Sequence, residues 1–150
     1  MSVSPVKPLT GAIESGVHRF AVRVYFEDTD FSGVVYHANY LRYMERARSD
    51  LLRVAGIDQR EAHASGTGVY AIRDLSIDYL SPARLEDDLL IETRVTALGA
   101  ATVSMVQAIS RDGRLLTDAT IRAAFLTPDG RPRRQPADWM AGFRRLMIQP

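Results

Sequence analysis

Residues 17–55 read VHRFAVRVYFEDTDFSGVVYHANYLRYMERARSDLLRVA, and within them the hydrophobic period changes once. From Val17 to Glu27 it is two: Phe20, Val22, Val24 and Phe26 fall on one face, Arg19, Arg23, Tyr25 and Glu27 on the other. Alternation carried by β-branched and aromatic residues predicts a strand. From Asn39 to Ala55 the apolar residues recur at three and four, through Tyr40, Met44, Ala47, Leu51 and Val54, with Leu41, Leu52 and Ala55 widening the stripe. That spacing predicts an amphipathic helix, and Gly56 supplies its stop. Between strand and helix stand the carboxylates Glu27, Asp28 and Asp30, then a Ser32-Gly33 turn and the run Val34-Val35-Tyr36-His37.

Working outward, residues 57–68 are polar and punctuated by glycine, which predicts a loop with at most a short helical turn. Four strands follow: Val69 to Tyr79, Leu89 to Leu98, Thr102 to Ser110 and Leu115 to Thr127, the last two joined by an Asp112-Gly113 hairpin signal. A basic segment with Arg131, Arg133 and Arg134 leads to a short helix around Ala137 to Leu146. The order β-α-β-β-β-β contains one substantial helical connection, and the later links are short enough for hairpins. An antiparallel sheet curled around one central helix, an α+β arrangement in a single domain over residues 17–150, is the economical solution. Residues 1–16, with prolines at 5 and 8, are expected to form a flexible arm. Leu90, Val106, Ala108, Ala124 and Leu126 make the second sheet face more apolar than a solvated one, so a homo-oligomer is expected.

The 150 residues carry 19 Lys+Arg against 18 Asp+Glu, a balance unlike the basic excess of a nucleic-acid binder. With no cysteine there is neither disulfide nor thiolate metal site, and His18, His37 and His63 lack metal-type spacing. The P-loop, dinucleotide and serine-elbow motifs are missing. No segment approaches the roughly 20 apolar residues of a membrane span, nor is there the apolar run of a signal peptide. A cytoplasmic protein is expected.

Acidic turns are commonly just solvated. This one sits at a strand-to-helix junction, where backbone N–H groups lack partners and the positive end of the helix dipole points. Phe31, Val34 and Val35 flank Asp30, which predicts partial desolvation. A carboxylate facing a helix start can attack or deprotonate while the N–H groups hold a developing oxyanion. Glu45 is a rival carboxylate on the helix, but Arg42, Arg46 and Arg48 beside it predict a solvated ion-pair face.

FEDTDFSGVVYHANYLRYMERAR resembles the signature of the hotdog-fold acyl-CoA thioesterases of the 4-hydroxybenzoyl-CoA thioesterase family, closest to the Tol–Pal-associated, YbgC-like branch. DYLSPARLEDDLLIETRV fits the same branch, so the resemblance spans roughly residues 19–130. It implies the hotdog fold and metal-independent hydrolysis of an acyl-CoA to free acid and coenzyme A, with no cofactor. Asp30 takes the place of the family's catalytic aspartate, as nucleophile or general base, and the helix-start N–H falls at His37. Gly33, Val34, Val35 and Tyr36 are then expected at the substrate, Gly33 through close backbone approach. Arg84, Arg131, Arg133 and Arg134 are the candidates for the coenzyme A phosphates. Many members of the branch carry tyrosine where this chain has Phe26, so that hydroxyl is missing here. The resemblance further implies a dimer or tetramer with substrate bound across a subunit boundary. An acyl carrier protein or an envelope-machinery partner, and a place at the inner-membrane face, follow from the branch. The competing readings are a hydratase or dehydratase using His37, and a non-catalytic acyl-carrier or scaffold-binding subunit.

Overall fold

A computed structural model of the chain describes residues 2–147. Its elements are β1 (Ala12–Glu14), β2 (Val17–Arg23), a single 3-10 turn (Phe26–Asp28), α1 (His37–Val54), α2 (Gln59–Ala64), β3 (Val69–Tyr79), β4 (Asp88–Leu98), β5 (Thr102–Arg111), β6 (Arg114–Leu126) and α3 (Ala137–Arg144). Strand β2 is shorter than the alternation from Val17 to Glu27 predicts. It ends at Arg23; Val24 N–H still donates to the Asp87 carbonyl at 2.9 Å, and the chain then coils into the 3-10 turn. The N-terminal stretch expected as an arm contributes β1, which forms a hairpin with β2.

All six strands belong to one antiparallel sheet in the order β1-β2-β4-β5-β6-β3. The β3–β4 link is short but is not a hairpin: β3 pairs with β6 and β4 with β2, so residues 80–87 cross from one side of the curled sheet to the other. They cross over the start of α1, where Ala83 N–H donates to the Tyr40 hydroxyl at 2.9 Å and Val35 N–H donates to the Ala83 carbonyl at 2.9 Å.

Helix α1 lies in the concave face. Tyr40, Tyr43, Met44 and Ala47 pack on Leu89, Ile91, Ile109, Leu116 and Ile121 in one cluster. Leu51 and Leu52 join Val95, Val103, Met105, Phe143 and Leu146 in a second, which α3 closes. Burial of each large aliphatic side chain contributes about 1.5–3 kcal/mol, so the helix is fixed along its length by its apolar stripe. On the outer face Leu90, Val106, Ala108, Ala124 and Leu126 are half-buried, as alternation requires. Among the described residues no helix is long and apolar enough to cross a membrane.

Candidate active site

The acidic stretch folds back on itself before α1 begins. Asp28 carbonyl accepts from Tyr36 N–H at 2.9 Å, Thr29 bridges Val35, and Asp30 N–H donates to the Val34 carbonyl at 2.9 Å. The tip, Asp30 to Gly33, is a β-turn closed by Gly33 N–H on the Asp30 carbonyl at 3.0 Å. Gly33 has φ +83°, which only glycine adopts without strain, and open space surrounds its α-carbon. Asp30 Oδ1 accepts from both Ser32 N–H, at 2.8 Å, and Ser32 Oγ, at 2.5 Å. Its second oxygen has no partner among the described residues.

Those two bonds set the charge state. The Ser32 hydroxyl first, then the Ser32 N–H, hold the Asp30 carboxyl below its ordinary value, with a smaller electrostatic pull from His37. Asp30 is therefore a carboxylate across neutral pH. Contrary to the expected desolvation, it is exposed in the single chain, because Phe31 points outward instead of folding over it.

Opposite the turn, α1 opens at His37 with Tyr36 as its cap residue and no side chain capping it. Tyr36 N–H is taken by Asp28 and Asn39 N–H by the Tyr36 carbonyl, which leaves His37 and Ala38 N–H without acceptors among the described residues. Two free donors at the positive end of an 18-residue helix are fit to receive a developing oxyanion. The His37 ring is exposed and lies between Tyr36, at 4.5 Å, and Tyr79, at 6.3 Å between centroids. Tyr79 hydroxyl donates to the His37 carbonyl at 2.9 Å, fixing the helix start from the end of β3. Sequence reading missed Tyr79, since 42 positions separate it from its partner. Ser32 could have been found from the Asp-x-Ser spacing, which favours a side-chain-closed turn.

The remaining expected site residues divide. Val34 bridges Arg84, so the turn and the β3–β4 link lie side by side, and Tyr36 is exposed beside His37. Arg84 N–H donates to Asp87 Oδ2 at 2.8 Å, the same oxygen held by Arg111 at 2.7 Å, which anchors the link. Val35 is buried: its pairing with Thr29 turns the side chain into the core. Arg131, Arg133 and Arg134 lie at the other end of β3, whose Val69 pairs with Leu126, itself bridged to Pro132. The strand separates them from Tyr79 by about 33 Å at 3.3 Å per residue. Arg133 is already committed there, donating to the carbonyls of Gly66 and Thr67 at 2.9 and 2.7 Å.

The rival carboxylate Glu45 is exposed and makes no ion pair within 4.0 Å among the described residues. Arg48 is not on a solvated face as expected. It turns inward and donates to Gln107 Oε1 at 2.8 Å, while Gln107 Nε2 donates to the Met44 carbonyl at 3.1 Å and Thr93 Oγ1 at 3.0 Å. Burial lowers the Arg48 pKa. Glu45 and Arg48 border a cavity of about 110 Å³ with Leu52, Tyr70, Met105 and Phe143, and no residue of the Asp30 turn lines it.

Residues 24–145 match the model of the thioesterase-like superfamily. An acyl-CoA thioester hydrolase, YbgC, of Escherichia coli O6:H1 is 36% identical over 129 residues, covering 85% of this chain and 96% of that protein. The acyl-CoA thioesterase YbgC of Haemophilus influenzae is 41% identical over 105 residues, 70% of this chain and 77% of its own. Among solved structures, a probable thioesterase from Bartonella henselae superposes with a TM-score of 0.77 at 40% identity, covering 80% of this chain and 99% of that one.

Proposed function

Since the chain belongs to the thioesterase-like superfamily, with the YbgC acyl-CoA thioesterases as its relatives, we propose that its hydrolysis of acyl-CoA is carried out by Asp30 and the start of α1. The observation that carries this reading is the pairing of an ionised carboxylate having one free oxygen with two unaccepted N–H groups at a helix start. The thioester carbonyl oxygen would sit on His37 and Ala38 N–H. Asp30 would attack the carbonyl carbon, or take a proton from a water that does. Either route ends with water split between the acyl carbon and the departing thiol of coenzyme A. No metal enters the scheme. Gly33, Val34 and Tyr36 would border the acyl thioester, and Arg84 would meet the coenzyme A phosphates from the same subunit.

The working unit in this reading is a homo-oligomer built on a dimer. Strand β3 is the long edge of the sheet, and a two-fold axis pairing it antiparallel with its copy sets the Val69 end against the Tyr79 end. Arg131, Arg133 and Arg134 of one subunit would then stand at the site of the other, across the distance that separates them within one chain. The exposed Phe26, Phe31, Tyr36, Tyr79 and Leu80 around Asp30 agree with a site that a partner or an acyl group covers.

Product analysis tests the reading. Incubation with short, long and aromatic acyl-CoAs should give free thiol and free acid in equal amounts for at least one of them. Water added to an enoyl thioester without thiol release would make the protein a hydratase. Tight binding of an acyl carrier protein with no cleavage of any thioester would make it a carrier subunit.

A further inference from the structure

Asp28, two residues before Asp30, has a backbone carbonyl that serves as the hub of the acidic turn. It accepts twice, from Tyr36 N–H and from the side-chain Nδ2 of Asn39, both at 2.9 Å. The first bond closes the turn on itself. The second ties it to α1, because Asn39 is the third residue of that helix and is buried against the turn. One turn further along the same helix face, Tyr43 is buried with its hydroxyl unpartnered among the described residues. Burial holds that phenol protonated, and the nearby Asp28 carboxylate adds to the effect. The Asp28 side chain is itself engaged, accepting from Tyr25 N–H at 2.8 Å. Asp28 is thus held from the strand side by Tyr25, from the turn by Tyr36 and from the helix by Asn39.

We infer that Asn39 is a positioning residue for the hydrolysis: its amide fixes the distance between the Asp30 carboxylate and the free N–H groups of His37 and Ala38. The reactive oxygen sits on the exposed turn and the oxyanion donors sit on the helix. Apart from the backbone joining them, the Asn39 amide is the one side-chain hydrogen bond within 3.5 Å among the described residues that runs from α1 to residues 28–34, the Tyr43 hydroxyl standing more loosely near the Asp28 carboxylate. The Tyr36 N–H reaches the same carbonyl through the backbone, from the cap residue whose own carbonyl holds Asn39 N–H, and the Asn39 amide adds a second hold from within the helix. Asn39 needs no contact with substrate for this role. A displacement of about 1 Å in a reacting group costs on the order of 10²-fold in rate, so a lost tether is read in kcat.

The inference rests on Asp30 being the catalytic carboxylate, and the experiment separates the two. Asn39→Leu keeps the volume and removes the donor, Asn39→Gln keeps the amide, and Asn39→Ser is too short to reach and covers the case in which leucine unfolds the chain. Each is assayed for thiol release on the best acyl-CoA, with Tm recorded, beside Asp30→Asn. The expected result is a kcat lowered about 10- to 100-fold in the leucine and serine variants, with KM within about threefold, and recovery in the glutamine variant. A folded leucine or serine variant with wild-type kcat overturns the inference, as does a loss confined to KM. If Asp30→Asn is as active as wild type, the site itself is misassigned. If Asp30→Asn is inactive and the Asn39 variants are not impaired, only the tether is wrong.

Discussion

Asp50 offers a sharp stability test because its carboxylate is buried far from the active site and yet ties three segments together. It lies on α1 and accepts from Thr10 Oγ1 at 2.9 Å, from Gly11 N–H at 2.9 Å and, at 2.7 Å, pairs with His18 Nε2. His18 is fully buried and its Nδ1 has no partner among the described residues. Asp50→Asn keeps the shape but replaces one accepting oxygen with a donating NH₂. If the NH₂ takes the Oδ2 position it meets two donors, Gly11 N–H and His18. If it takes the Oδ1 position it meets the Thr10 hydroxyl, and the negative charge is gone in either case. A buried donor left unmet costs about 1–3 kcal/mol, and a hydrogen bond to a charged carboxylate contributes about 1.5–3 kcal/mol. A loss near 3 kcal/mol is expected, which lowers Tm by about 6–12 °C in a chain of this size. The assay is urea unfolding followed by circular dichroism, with m held constant as the check on a two-state transition. Gly11→Ala reports on the same junction from the other side, since its Cβ would stand 2.4 Å from the Arg19 carbonyl and 2.7 Å from Asp50 Oδ2. The two changes should be non-additive. An Asp50→Asn midpoint equal to wild type, or strict additivity with Gly11→Ala, would refute this account of how the N-terminal segment is held.

Three further outcomes follow from the site. The Ser32 bonds hold Asp30 ionised as pH falls, so thiol release should show no acid limb from Asp30 between pH 8 and about 5, above the ordinary carboxylate value near 3.9. Ser32→Ala removes the larger of the two stabilising bonds and should move that limb upward; a pH–rate profile identical to wild type would deny Ser32 this role. Arg134→Glu should raise KM for acyl-CoA, more steeply at low salt, with kcat little changed, whereas an unaltered KM would remove the C-terminal arginines from the phosphate site.

Much of this molecule is legible in local pattern. The change from period two to the helical spacing between Val17 and Ala55 locates α1 and the strand before it, and the Asp-Gly signal at Asp112-Gly113 locates the β5–β6 hairpin. The pairing of Asp30 with the start of α1 is readable because both fall within eight residues. What is not legible depends on partners distant in sequence. Nothing local says that β3 pairs with β6 across a crossing link, or that Tyr79 reaches the His37 carbonyl. Asp50 reads as one more polar residue on the solvent side of a helix until His18 and Gly11 are placed against it. Arg48 is similar: its charge predicts exposure, and only Gln107, at 0% exposure on β5, gives the guanidinium an inward partner. The outward turn of Phe31, which leaves Asp30 exposed in one chain, is a tertiary outcome that composition does not reveal.

The most direct measurement is the rate of free-thiol release by Asp30→Asn beside wild type, on the same acyl-CoA at saturation, with matched circular dichroism spectra. Replacing one carboxylate oxygen with an amide NH₂ on an exposed turn should leave the fold unchanged and lower kcat by about 10²–10⁴-fold, the range of a lost catalytic base. A correctly folded Asp30→Asn protein that releases thiol at the wild-type rate would contradict the assignment of the reaction to this turn.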